Sequence, residues 1–147
     1  MSFEKILSPD APRSVLLIRL AVGVVFLSEG IQKFLFPLEL AVGRFAKIGL
    51  PHPEFLGPFV ACFEIACGAA VLAGLLTRLA SLPLLTIMLV ALASTKVPIL
   101  QSKGFWAMAH EARTDWSMLL GALFLLVVGA GPWSLDGLIH RRSVRRS

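Results

Sequence analysis

The sequence predicts an all-α membrane protein: a bundle of four transmembrane helices with short interfacial helices in the two outer loops. Three observations predict it. Of the 147 residues, 56% are hydrophobic, against roughly 45–50% in a soluble domain, and mean hydropathy is +0.81. Four apolar stretches are long enough, or nearly so, to cross ~30 Å of hydrocarbon at ~1.5 Å per residue. The stretches also lack the alternation of barrel strands, which leaves the helix as the way to satisfy backbone N–H and C=O groups in lipid. The length suits one unit with no second domain.

The first span covers residues 14–36 and contains the polar stretch FLSEGIQKF at residues 26–34. Gly23 and Gly30, at heptad spacing, read as packing positions. The second span is expected over residues 56–76, with Ala66, Ala70 and Gly74 at four-residue spacing offering a face for close helix contact. The third, over residues 79–97, is entered after Thr77-Arg78 and closed by Pro98, and Pro83 marks or kinks its first turns. The fourth, over residues 115–131, is the shortest. Trp106, Trp116 and Trp133 fall near span ends, where indole rings favour the interface.

Two connections are more than linkers. Residues 37–55, PLELAVGRFAKIGLPHPEF, begin with Pro37, carry apolar residues at helical spacing and stop at Gly-Leu-Pro, which predicts a short amphipathic helix in the interface. Residues 101–116 show a weaker version of the same pattern.

Fourteen Lys and Arg stand against nine Asp and Glu, a formal charge of +5. The basic residues cluster at the ends of apolar runs and in the tail of residues 141–147, which points to anionic lipid head groups, and no nucleic-acid motif accompanies them. An even number of spans puts both termini on one side. Lys5, Arg13, Arg78, Arg141, Arg142, Arg145 and Arg146 collect there; Lys33, Arg44, Lys47, Lys96, Lys103 and Arg113 collect on the other. The arginines directly after the last span and Arg78 in the shortest loop place the termini in the cytoplasm. The first fourteen residues, with Glu4 and Asp10, do not read as a signal peptide.

Cys62 and Cys67 lie five apart in one apolar run, so they point about 140° from each other on a helix and cannot pair. No CxxC is present, which argues against thiol–disulfide exchange. His52, His110 and His140 all fall outside the spans, excluding bis-histidine haem. A metal site from His52, His110, Glu111 and Asp115 has no ligand spacing behind it, so no metal is expected.

The buried charges carry the functional argument. Counting at ~1.5 Å per residue puts Glu29 about 10 Å and Glu64 about 12 Å inside the same outer boundary, on antiparallel helices. Lys33 lies nearer that surface, Ser94, Thr95 and Lys96 end the third span there, and Asp115 opens the fourth. One polar chamber in the outer half of the bundle is therefore expected. On the first helix Arg19, Gly23, Phe26, Gly30 and Lys33 share one face with Glu29 on its flank. A charge near mid-membrane costs about 2.5–3.5 kcal/mol on insertion scales, so Glu64 is either protonated or paired with Lys33 or another basic residue. Glu29 and Lys33 form an i, i+4 pair in the favourable order.

The pattern R-x3-G-x2-F-x3-G-x2-K from Arg19 to Lys33 resembles the opening of the DoxX family. So do IGLPHP, the stretch FEIACGAAVLAGLLTRLAS at residues 63–81, and GAGPWSLD at residues 129–136. The resemblance covers most of the chain and implies a four-helix protein of the bacterial inner membrane. Relatives in that family include a small subunit of a thiosulfate:quinone oxidoreductase and partners of oxidative-stress proteins. It carries Arg19, Gly23, Gly30, Lys33, Glu64, Gly68, Arg78 and Asp136 over as family positions.

The expected function is a redox-associated membrane subunit that contacts quinone, or a quinone-linked oxidoreductase partner, through the polar chamber. Glu29, Lys33, Glu64, Arg19 and Asp115 are the ligand-binding or proton-relay candidates. No covalent cofactor and no redox ligand is visible in the chain, so electrons would come from a protein partner. Two rivals stand: a binding or transport protein for a small apolar or amphipathic molecule, working as a homo-oligomer, and a structural assembly subunit whose charges lock the helices.

Overall fold

The structure, a computed structural model, describes residues 12–144. The eleven residues before them, with Lys5, and the last three of the basic tail lie outside the described residues. All regular structure among the described residues is helical. Helix α1 is Val15–Leu35 and is followed by two short turns, α2 (Pro37–Leu40) and α3 (Val42–Lys47). Then come α4 (Pro53–Ala73), α5 (Thr77–Ala91), a π-helical turn (Leu92–Lys96), α6 (Val97–Lys103), α7 (Phe105–Val128) and α8 (Leu135–Val144). Among the described residues three helical stretches are long and apolar enough to cross a membrane: Val15–Leu35, Pro53–Ala73 and Thr77–Lys103.

Helix α1 packs between α4 and α7, and α5 closes the ring on the other side between the same two helices. The α1–α4 seam is the tightest. A side chain at Gly30 would meet the Ala61 carbonyl at 2.8 Å, and one at Gly68 the Leu27 amide nitrogen at 2.7 Å. The small-residue face of α4 is therefore Ala61–Gly68, continued to Gly74. Ala66, expected on that face, points out of the bundle, and Ala70 is half-buried. Glu64 and Val71 share the inward face, so the seam is set by where the carboxylate must go rather than by the alanine spacing.

Local sequence explains the ends. Pro53 occupies the first turn of α4, where its missing N–H costs nothing, so the helix begins three residues before the expected span. Gly74, at φ +67°, ends it in the left-handed conformation that favours glycine. The Leu75 N–H returns to the Ala70 carbonyl at 2.9 Å, as in a Schellman cap. Three residues later α5 has begun, so α4 and α5 are pinned together at this turn.

The third span does not stop before Pro98. Its helix continues from Thr77 to Lys103 because the π turn at Leu92–Lys96 absorbs the proline: the widened turn precedes Pro98, which takes an early position of α6. The break falls instead at Gly104, at φ +82°. Helix α7 then runs unbroken from Phe105, ten residues ahead of the expected start, because no glycine or proline interrupts it before Gly121. Residues 101–116 consequently hold no separate interfacial helix; they divide between the end of α6 and the first turns of α7. The first loop does form interfacial-type turns, but as two pieces, since Ala41 leaves helical geometry at φ −122°, ψ −102°. Trp106 is 83% exposed, and Trp116 and Trp133 are also on the bundle surface.

The apolar core fills one half of the bundle, toward the Gly74 turn. Val22, Phe26, Val71, Leu84 and Leu125 meet there. Two buried polar side chains lock that end. Arg19 donates to the carbonyls of Val71 (2.9 Å), Leu72 (2.5 Å), Ala130 (3.3 Å) and Trp133 (2.6 Å). Asp136 accepts the N–H groups of Leu76 at 2.7 Å and Thr77 at 3.1 Å, satisfying orphan donors of α5. Ser134 caps α8 by accepting the Gly137 N–H at 3.0 Å. The other half of the bundle is hollow.

Candidate functional site: a charged chamber under the α2–α3 turns

The cavity measures about 560 Å³, within the roughly 300–1,000 Å³ of small-molecule sites. Helices α1, α4, α5 and α7 wall it, and the segment from Leu40 to Pro51 roofs it. Its apolar lining includes Phe26, Phe59, Val60, Ile87, Met88 and Met118. Into these walls project three carboxylates, Glu29, Glu64 and Asp115, and three basic side chains, Lys33, Arg44 and Lys96.

The charges are ordered by depth. Glu64 is 3% exposed at the side chain and its Oε2 lies 2.7 Å from Lys33 Nζ. Lys33 also reaches Glu29 Oε2 at 3.5 Å, and Glu29 is 48% exposed. A carboxylate–ammonium–carboxylate row therefore runs from the surface of α1 to the buried face of α4. Beyond this contact with Lys33, Glu64 Oε2 has no hydrogen-bond partner among the described residues. Across the chamber Lys96 and Asp115 pair at 3.1 Å between the π turn and α7.

The π turn does chemical work here. On an α-helix, three consecutive residues fan over about 200°; with the turn widened, Ser94, Thr95 and Lys96 all line the chamber. The Ser94 and Thr95 hydroxyls donate back to the carbonyls of Val90 (2.7 Å) and Ala91 (2.6 Å). Their lone pairs remain as acceptors on the chamber side.

Of the residues singled out from sequence, Glu29, Lys33, Glu64 and Asp115 are brought to this one cavity. Arg19 is not. It lies ten residues from Glu29 on α1, about 15 Å away along the axis, and its guanidinium is committed to four backbone carbonyls at the opposite end. Of the set weighed for a metal, only Asp115 lines the chamber; His52 stands at the N-cap position of α4 with no side-chain cap bond, and the ring nitrogens of His110 lie within hydrogen-bonding distance of Arg113 Nη1 on the surface. No group of three His, Cys, Asp or Glu placed to hold a metal occurs among the described residues. Sequence reasoning missed Arg44 and the threonines Thr86 and Thr114. Arg44 was recoverable: Leu40, Arg44 and Ile48 recur at four-residue spacing and all face the cavity.

The comparisons with known proteins fit this frame. The DoxX family model matches residues 14–97, from the start of α1 to the first residue of α6. A Mycobacterium tuberculosis protein named "Uncharacterized membrane protein Rv3486" is 51% identical over 148 residues, covering 97% of this chain and 91% of that one. A Bacillus subtilis protein named "Putative oxidoreductase CatD" is 27% identical over 126 residues, covering 86% and 87% of the two chains. No solved structure matches. With the family model spanning more than half of its length and a relative identical at every second position, this chain belongs to the DoxX family of membrane proteins.

Proposed function

We propose that the protein is a redox-associated subunit of a bacterial inner membrane, and that its chamber holds the ring of a quinone. The observation that carries this reading is the row Glu29–Lys33–Glu64, leading from an exposed carboxylate to a buried one inside an apolar-walled cavity. Reducing a quinone takes two electrons and two protons and gives the quinol. The electrons come from an oxidoreductase partner, since the chain shows no redox ligand of its own. The protons have to arrive beside an apolar ring, and a titratable group held there supplies them. Lys33 hydrogen-bonds a ring oxygen and passes a proton to it as the electrons arrive, and Glu64 accepts from the hydroxyl formed. Glu29 returns a proton to Lys33 from the surface, so that two such turns supply both protons. The name of the Bacillus subtilis relative, an oxidoreductase, accords with this assignment.

In this reading α7 is the fourth span. At ~1.5 Å per residue its 24 residues reach about 36 Å, and its Asp, Glu, Lys and Arg residues, Glu111, Arg113 and Asp115, all fall in the first half. Both chain ends then share a side. Arg13, Arg78, Arg141 and Arg142 gather at the Gly74-turn end, which supports a cytoplasmic position for the termini.

The test is native mass spectrometry of the protein extracted gently from its own membrane, wild type beside Glu64→Gln. A quinone mass bound to wild type and lost from the variant is expected. Wild type free of quinone, with both proteins equally folded, would overturn the assignment and leave the charges as internal glue.

A further inference from the structure

The chamber wall is incomplete between α4 and α5, and this apolar gap offers a way in for a ligand. The flanks of α4 and α5 can be assigned from their partners. On α4, Ala61 and Gly68 sit against α1, so Phe59, on the other side of the inward-facing Glu64 at ~100° per residue, faces the α5 side. On α5, Leu85 and Met88, which pack against the core, lie on one flank of the buried Leu84 and Thr86 and Val90 on the other. With α7 packed more closely than α4 against α5, the flank of Thr86 and Val90 is the one beside α4. Phe59, Thr86 and Val90 all line the cavity, yet Phe59 and Val90 are each 45% exposed on the outside of the bundle, and Thr86 is exposed too. Side chains that belong at once to the cavity lining and to the outer surface mark an opening.

The fold accounts for the gap. Helices α4 and α5 are pinned at the Gly74 turn, and both carry an internal proline, Pro58 and Pro83, at which a helix bends. The outside of the bundle at this depth is hydrocarbon, since both flanking helices are spans. Beside the opening, Phe55, Phe59 and Phe63 form a continuous aromatic row, with ring centroids 5.4 and 4.9 Å apart. Phe59 belongs both to this row and to the chamber.

We propose that the chamber is loaded sideways from the bilayer through the α4–α5 gap, and that its ligand is a single-tailed amphiphile. The polar head reaches Glu64 and Lys33, and the tail stays in the gap along the phenylalanine row. A head that needs both a donor and an acceptor finds them in the Lys33 ammonium and the Glu64 carboxylate. A tail longer than the chamber finds an apolar exit between Phe59 and Val90, whereas the other exposed lining residues include the charged Glu29 and Arg44. The inference rests on the chamber being a binding site and not on the head being a quinone, so the two ideas can fail separately.

The experiment uses the full chain in liposomes and hexadecanol carrying a diazirine beside its hydroxyl end, photolysed and mapped by peptide mass spectrometry. A short water-soluble diazirine alcohol serves as the control. Hexadecanol should label Glu64 and Phe26 inside the chamber, together with the lipid-facing references Leu17 and Val127, and should spare the buried Leu84. Val90→Trp, which narrows the gap, should cut the chamber labels at least fivefold and leave Leu17 and Val127 unchanged. Phe59→Ala, which widens it, should raise the chamber labels about threefold and decides the matter if the tryptophan variant does not fold. Chamber labels absent from wild type, unchanged in both variants, or produced only by the water-soluble alcohol overturn the proposal. A labelled chamber in a protein that binds no quinone would retain the portal and discard the quinone.

Discussion

Asp136 holds the start of a helix that lies about sixty residues before it: its Oδ2 accepts the N–H of Thr77 at 3.1 Å while Oδ1 takes that of Leu76 at 2.7 Å. Leu76 has φ +47°, a left-handed conformation that costs a branched side chain energy, and the carboxylate compensates for it. Asp136→Ala should destabilise the protein by about 2–4 kcal/mol, since the buried N–H of Thr77 and the half-buried N–H of Leu76 are left bare. Asp136→Asn keeps one acceptor and should cost less than half as much. Thermal unfolding in a mild detergent, with both variants side by side, reads the difference; equal losses would mean that charge rather than acceptor number matters.

Arg19 closes the same end by a different device, filling carbonyls of α4 and of the loop after α7 with one guanidinium. A lysine ammonium has three donors in a compact head and cannot reach four carbonyls on two elements. Arg19→Lys should therefore fail to rescue stability, and both it and Arg19→Ala should lower the midpoint of unfolding, the alanine by at least about 3 kcal/mol in stability. Retention of quinone by whatever fraction of Arg19→Lys folds is the second expectation, because the chamber is about 15 Å away along α1.

The Lys33–Glu64 pair separates a structural role from a functional one. Lys33→Met strands a buried carboxylate and should destabilise by about 3–5 kcal/mol. The double variant Lys33→Met/Glu64→Leu removes both charges and should recover most of that loss. Under the proposed function the double variant folds but no longer carries quinone in native mass spectrometry. A stable double variant that still binds it would show that the pair serves packing alone.

Gly68 tests the α1–α4 seam. A Cβ there would approach the Leu27 nitrogen to 2.7 Å, and backbone cannot step aside as a side-chain tip can. Gly68→Ala should cost about 1–3 kcal/mol through overpacking, whereas Ala66→Gly, on the outward face, should change stability by no more than about 1 kcal/mol through helix propensity. Unfolding midpoints for the two variants settle which face is the seam.

These contrasts show what kind of information the chain displays openly. Counting residues from the span ends placed Glu29, Lys33, Glu64 and Asp115 in one half of the bundle, because helical rise converts position to depth without any knowledge of packing. Rotation about the helix axis was harder. Ala66 looked like a packing position by spacing alone, but the inward direction of α4 is set by Glu64 and Gly68. Arg19 shared a helical face with Lys33 and was grouped with it, although depth separates the two. Pro98 looked like a terminator because the rule for proline assumes an α-helix; the π turn before it has no strong local signature. The roof residue Arg44 stood in a recognisable amphipathic segment, and its partnership with the chamber depended on how Ala41 and Gly57 pack the loop onto α4.

The π turn at Leu92–Lys96 has a consequence for how this helix tolerates change in length. It stores one residue more than an α-helical path would need, and so takes up an extra position without turning the two parts of a single rod against each other. Removing one residue from it restores ordinary winding and leaves everything from Val97 onward facing nearly as it does now relative to Thr77–Ala91, because five π-helical steps of about 80° match four α-helical steps of about 100°. Both flanks would keep their seats, and the change would fall on the turn: with one position fewer, Ser94, Thr95 and Lys96 could not all line the chamber. Substitutions of similar size within the turn preserve the winding. The stretch is thus constrained in its count of residues more than in their identity.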